Sequence, residues 1–279
     1  MSNFKIGFIQ GRLVDQMYQR IQAFPMTLWK NEIEIAIQND FNLMEWTLDY
    51  DYFYENPIFN DKDKQFFLEK NNFKVESITM DFSMHVPFWK CSGSLRDEVI
   101  NRHIRLIETL SDTNINILVL PLVDNGSIEE ESHQVNLTNG LYEISNYLEK
   151  YNKKIAFESD LSPSQLKYFI NKFDSSIYGI NYDTGNSAAL GYDLKEELDC
   201  YGHRIINIHI KDRVLNGNTV KLGSGSYDFE SFFGYFNELN YRGNLILQTA
   251  RNPNNHLETL CKNRDFVKNF LHKMTIKNQ

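Results

Sequence analysis

Four short runs in the second half of the chain decide the fold: Ile155-Ala156-Phe157-Glu158, Ile180-Asn181-Tyr182-Asp183, Ile206-Asn207-Ile208-His209 and Leu245-Ile246-Leu247-Gln248. Each is short, mostly apolar and rich in strand-forming residues, and each ends on a side chain that can bind a cation or hold a proton. Counting outward from them, eight strands are expected: Phe4–Ile9, Asn42–Trp46, Val75–Met80, Asn116–Leu120, Lys154–Phe157, Gly179–Tyr182, Ile205–Ile210 and Asn244–Leu247. Amphipathic stretches such as 98–110, 136–151, 164–173 and 229–239 lie between them with apolar residues near helical spacing. Strict alternation of eight β and eight α units favours a closed (β/α)8 TIM barrel over an open sheet, in one domain spanning residues 1–279.

Local signals agree with this phase. Ser162-Pro163-Ser164 places a proline at a first helical turn, and Asp228 stands where a helix beginning near Phe229 needs a cap. The acidic cluster Glu129–Glu131 reads as a solvated loop or a helix start. No linker, repeat or low-complexity tract divides the 279 residues, and a hydrophobic fraction of 42% is ample for a core.

Composition narrows the function classes. A net charge of -8 with no long Lys/Arg run argues against a nucleic-acid partner. Lys5 is followed too soon by Gln10, Gly11 and Arg12 for a secretory leader, and no apolar stretch approaches a membrane span, so a cytoplasmic protein with no membrane partner is expected. Cys91, Cys200 and Cys261 are scattered without CxxC spacing and read as reduced thiols.

In a barrel of this kind the chemistry sits at the carboxyl ends of the strands. Glu158, Asp183, His209 and Gln248 end four consecutive strands, and two carboxylates, an imidazole and an amide oxygen suit one divalent ion, Mn2+, Mg2+, Co2+ or Zn2+. The absence of thiolates argues against a structural zinc.

The motifs Phe157-Glu158-Ser159-Asp160, Tyr182-Asp183-Thr184-Gly185-Asn186, His209-Ile210-Lys211-Asp212 and Leu222-Gly223-Ser224-Gly225 resemble the xylose isomerase-like sugar phosphate isomerase/epimerase superfamily. Ile9-Gln10-Gly11-Arg12-Leu13 and Arg20-Ile21-Gln22-Ala23-Phe24-Pro25 resemble a branch associated with bacterial surface-polysaccharide gene clusters. The resemblance implies a metal-dependent isomerase or epimerase acting on a sugar or sugar phosphate, with two glutamates that both bind metal and transfer protons. Gln248 departs from that pattern, because an amide can ligate a cation but cannot accept a proton at physiological pH. Two-base epimerisation is thereby put in doubt, while a lyase of the inosose dehydratase kind tolerates the change. A non-catalytic sugar-binding barrel stays open as a reading from another class, and so does assembly as a homo-oligomer. The endonuclease IV type, which gathers many His ligands, is disfavoured by seven histidines of which few stand at strand ends.

Glu158 is then the expected base, and His85, just past the third strand, is a candidate second acid or base. Arg12 is a candidate clamp for a substrate carboxylate or phosphate, with Glu45 as its structural partner. Asn186 stands where relatives often carry His and is expected to bond a substrate hydroxyl. The loop around Gly223 and Ser224 is a candidate phosphate cradle through its backbone N–H groups, with Lys211, Arg213 and Arg251 as nearby cations.

Overall fold

The computed structural model describes residues 4–17, 20–68, 70, 72–236, 238–239 and 241–277. All eight expected runs form strands: β1 (Ile6–Ile9), β2 (Leu43–Thr47), β3 (Lys74–Thr79), β4 (Ile117–Leu122), β5 (Lys154–Ser159), β6 (Tyr178–Asp183), β7 (Ile205–Ile210) and, eighth in the barrel, β10 (Leu245–Leu247). The intervening β8 (Asp212–Arg213) and β9 (Thr219–Val220) pair only with each other, as an antiparallel ribbon. The eight parallel strands close in the order β1-β10-β7-β6-β5-β4-β3-β2.

These strands are covered on both sides, which is why they read as nearly unbroken apolar runs. In β5, Phe157 faces outward and meets Phe169 edge-on and Phe173 at a tilt, at centroid distances of 5.4 and 5.5 Å, beneath α6 (Pro163–Ile170). Its neighbours Ala156 and Glu158 alternate inward, as a period of two requires. On the opposite wall Trp46 of β2 meets Trp29 of α1 (Trp29–Gln38) and Phe67 of α2 (Asp61–Leu68) at 5.8 and 4.6 Å. Burying one such aromatic side chain contributes on the order of 2–3 kcal/mol.

Helix starts follow the sequence signals. Ser162 N donates to Gln165 Oε1 at 3.1 Å, with Pro163 in the first turn of α6. Asp228 accepts from Ser231 N at 3.0 Å and opens α9 (Phe229–Tyr235). The acidic cluster ends as a helix start, Glu131 being the first residue of α5 (Glu131–Lys150).

Between β1 and α1 the described residues form no regular element and pass over the carboxyl end of the barrel as a strap. Gln22 Nε2 donates to Thr47 Oγ1 at 2.8 Å and Phe24 N to Asp49 Oδ2 at 2.7 Å, tying it beyond the end of β2. Gly11 turns into the strap at φ +87°, a conformation that favours glycine. Among the described residues no helix is long and apolar enough to cross a membrane.

Candidate functional site

Register brings the strand ends together. Asp183 of β6 is the direct partner of His209 of β7, which is in turn the partner of Ile246 of β10. Alternation then turns Gln248, two residues past Ile246, to the same inward side. Glu158, Asp183 and His209 are all buried, and each offers a ligand atom within 4.8 Å of the other two.

His209 is held by Glu45, whose carboxylate is fully buried inside the barrel. His209 Nε2 lies 2.7 Å from Glu45 Oε1, and since a carboxylate only accepts, Nε2 carries the proton. Glu45 Oε2 accepts from Ser77 Oγ at 2.7 Å and Asn207 Nδ2 at 2.9 Å. Asn207 also donates to Asn181 Oδ1 at 2.9 Å, and Asn181 Nδ2 donates to Glu158 Oε2 at 2.9 Å. A hydrogen-bonded floor thus runs from β3 to β5 and fixes both Glu158 and His209. The expected pairing of Glu45 with Arg12 is not formed: Arg12 Nε donates instead to Thr249 O at 3.1 Å.

The other face of His209 looks at the cluster. Its Nδ1 is 3.1 Å from Glu158 Oε2, an ion-pair contact, and 3.9 Å from Asp183 Oδ2. Burial lowers the imidazole's pKa, but the carboxylates of Glu45 and Glu158 more than offset this and raise it to about 10. For Glu158 burial pushes upward, and the charges of His209 and Lys211 outweigh it, leaving the acid below its ordinary value.

Asp183 caps its own helix, α7 (Thr184–Leu190): Oδ1 accepts from Gly185 N at 2.7 Å and Asn186 N at 3.0 Å. Its Oδ2 meets Lys211 Nζ at 2.7 Å. Gly185 leaves room for that lysine, because a Cβ there would stand 2.6 Å from Lys211 Cδ. Asn186 Nδ2 donates to Glu158 Oε1 at 3.0 Å and its Oδ1 accepts from Arg213 Nη1 at 3.2 Å. Asn186, Lys211 and Arg213 are therefore all gathered around the carboxylates.

The donor set fits a divalent cation. Gln248 Oε1 is buried without a hydrogen-bond partner, which is costly unless something binds there, while His209 Nδ1 faces Glu158 Oε2 at 3.1 Å and would exchange its proton for a cation. Two carboxylates, one imidazole nitrogen and one amide oxygen are the atoms that Mn2+, Mg2+, Co2+ or Zn2+ accept. The Glu45 contact supplies the orienting partner that metal-binding histidines generally have.

The amides of the glycine loop are bonded within the loop region, and His85 stands exposed at the end of its helix. The N–H groups of Gly223 and Gly225 both donate to Asp212 Oδ2, at 2.9 and 2.8 Å, and Tyr227 N reaches Asp212 Oδ1 at 3.3 Å. Ser224 N donates to Lys221 O at 3.0 Å. The glycine loop is folded around its own carboxylate, so these amides are not presented to a phosphate. His85 ends α3 (Asp81–His85) and is exposed, while Asp81 at the start of the same helix is buried. Asp81 accepts from Thr79 Oγ1 at 3.0 Å, and its acid is raised to about 7 by burial and by the charges of Asp49, Glu158 and Glu45. It is the polar residue that follows the third apolar run, so the strand-end rule applied to the other four would have found it. A cavity of about 720 Å³ opens at the opposite end of the barrel, among Lys5, Lys74, Glu76 and Arg242, away from all these groups.

Comparison with known proteins agrees with this architecture. A family model described as a xylose isomerase-like TIM barrel matches residues 33–268. The inosose dehydratase of Clostridium botulinum (strain Alaska E43 / Type E3) is 27% identical over 157 residues, which cover 47% of this chain and 53% of that protein. That of Clostridium perfringens (strain 13 / Type A) is 22% identical over 173 residues, or 53% and 58% of the two chains. The chain thus spans little more than half the length of these curated relatives. Among solved structures, an L-ribulose 3-epimerase superposes with a TM-score of 0.75 at 12% identity, over 99% of this chain and 97% of that one. The IOLI protein with a binding zinc atom gives a TM-score of 0.73 at 16% identity, over 97% and 99%. A Mycobacterium smegmatis protein in complex with magnesium gives 0.72 at 15%, over 98% and 99%. At such identities the structural likeness is one of fold; with the family match over most of the chain, it establishes that the protein belongs to the xylose isomerase-like TIM barrel family.

Proposed function

We propose that this protein is a divalent-metal-dependent enzyme that removes a proton next to a carbonyl of a sugar or sugar phosphate, as an isomerase or epimerase does. The observation that carries this reading is the convergence of His209 Nδ1 with the carboxylates of Glu158 and Asp183 within 4.8 Å, beside the buried and unpartnered Gln248 Oε1. Glu158, Asp183, His209 and Gln248 would hold the cation, which when bound supplies Lewis-acid stabilisation of negative charge developing on substrate oxygen.

The chain's own residues divide the remaining work. Glu158, kept ionised with the help of the Lys211 charge, takes the proton from carbon. Asp81, raised to about 7, is protonated in part at neutral pH and takes the second proton-transfer role in place of the exposed His85. Asn186 and Arg213 orient Glu158 and present polar groups to substrate hydroxyls.

Dehydration is the second reading, and two observations favour it. Gln248 replaces a proton acceptor with an amide, and the curated relatives named above are inosose dehydratases. In that case Glu158 takes the carbon-bound proton and Asp81 protonates the departing hydroxyl, which leaves as water. A panel of ketoses, aldoses and inososes in deuterated solvent, with metal supplied, separates the readings: label in an isomerised sugar supports the first, loss of water the second. Glu158→Gln should lower turnover by about 10²-fold or more with metal bound. Asp81→Asn should slow turnover while exchange of the carbon-bound proton continues. Normal turnover by metal-loaded Glu158→Gln would remove the proposal.

A further inference from the structure

The strap and the segment after β10 hold a second group of polar atoms that the reaction above does not use. Arg12 is only 6% exposed; its Nε donates to Thr249 O at 3.1 Å and its Nη1 has no hydrogen-bond partner. Arg251 lies near enough for its charge to act on Arg12, and it directs Nη1 to Gly11 O and Nη2 to Val14 O at 2.6 Å. Among the described residues neither guanidinium forms an ion pair within 4.0 Å. Glu32 acts on both guanidinium groups through its charge but bonds neither, since its two oxygens accept from Leu13 N and Gly11 N, each at 2.9 Å. Burial and the charge of Arg251 accordingly pull the Arg12 pKa down to about 9.

Two like charges held close together, one of them buried with a donor to spare, are unfavourable in the protein alone. Gln10 Nε2 adds another buried donor without a partner on the same strand end. Gln22 Oε1 and Asp49 Oδ1, also buried and unpartnered, are acceptors placed where the strap meets β2. Thr249, the anchor of Arg12, follows Gln248 directly, so this group adjoins the candidate metal site.

We propose that Arg12, with Arg251 beside it and Gln10 on the same strand end, binds an anionic group of the substrate, a carboxylate or a phosphate, while Gln22 and Asp49 accept from its hydroxyls. The inference rests on the proposed function only for the sugar-like body of the ligand. It moves the anion from the glycine loop, whose amides Asp212 occupies, to the β1 and β10 side of the mouth. A bound anion would neutralise the charge that Arg12 and Arg251 hold there.

Binding by calorimetry tests this with the full chain in chelator, so that the metal plays no part. The probes are D-glucuronate, D-glucose 6-phosphate and neutral D-glucose. The unsubstituted chain should bind at least one of the two anions about 10-fold or more tighter than D-glucose, the scale of one charge-assisted contact, and Arg12→Gln should abolish that preference. Whichever anion binds tighter identifies the source of the charge, a sugar acid or a sugar phosphate. His209→Ala should keep the preference, which separates failure of the metal reading from failure of this one. If Arg12→Gln does not fold, Arg12→Lys keeps a cation without the planar fork and should weaken both anions while leaving D-glucose unchanged. No preference in the unsubstituted chain, or the same preference in the Arg12 variants, overturns the proposal.

Discussion

His209 makes one strong contact and turns its other nitrogen to the cluster. Its Nε2 sits 2.7 Å from Glu45, while Nδ1 faces Glu158 at 3.1 Å and Asp183 at 3.9 Å, where a cation would displace its proton. The consequence can be tested at Glu45, which lies outside the proposed ligand set. A Gln there must turn its NH2 either toward His209 Nε2 or toward the donors of Ser77 and Asn207, and each choice sets donor against donor. Glu45→Gln should therefore weaken divalent-metal affinity by about 10-fold or more, with turnover recovering in excess metal. Unchanged affinity in a metal titration would show that Glu45 does not orient the ligand. Neither this role nor that of Asp81 was read from the sequence. Glu45 and His209 are 164 residues apart, and only closure of the barrel brings them into contact. Glu158, Asp183, His209 and Gln248 were legible because each ends an apolar run, and strand ends in this fold share one rim.

At the scale of elements, the strands were readable and the covering segments were not. Parallel strands buried on both faces announce themselves as short apolar runs, and all eight are found in place. The strap has no period to detect, because it is fixed by single bonds such as Phe24 N to Asp49 and by Glu32 beneath its first turn. The glycine loop likewise looked free in sequence, but Asp212 fills it from the preceding ribbon. Glu32 gives the strap a pH dependence. Its carboxyl is raised from 4.5 to about 7, chiefly by burial, with the N–H groups of Leu13 and Gly11 opposing. A raised carboxyl binds its proton more tightly folded than unfolded, so its contribution to stability is present at low pH and is lost as pH rises between 4.5 and about 7. Glu32→Gln carries no such loss. Relative to the unsubstituted chain, it should therefore gain roughly 3 kcal/mol of stability between pH 4 and pH 8. Urea unfolding across that range measures it, and a constant difference between the two proteins would contradict the assignment.

Over the whole molecule, the barrel separates what holds it together from what acts. Aromatic layers such as Trp29, Trp46 and Phe67 pack between strands and helices, while the polar floor of Ser77, Glu45, Asn207 and Asn181 crosses the interior and presents Glu158 and His209 at the rim. The most direct test of this arrangement is anomalous diffraction from crystals soaked in Mn2+. One strong peak is expected in the mouth, with oxygen or nitrogen atoms of Glu158, Asp183, His209 and Gln248 at roughly 2.0–2.4 Å from it. A fully occupied Mn2+ elsewhere in the molecule, with Gln248 Oε1 still without a partner, would contradict the account.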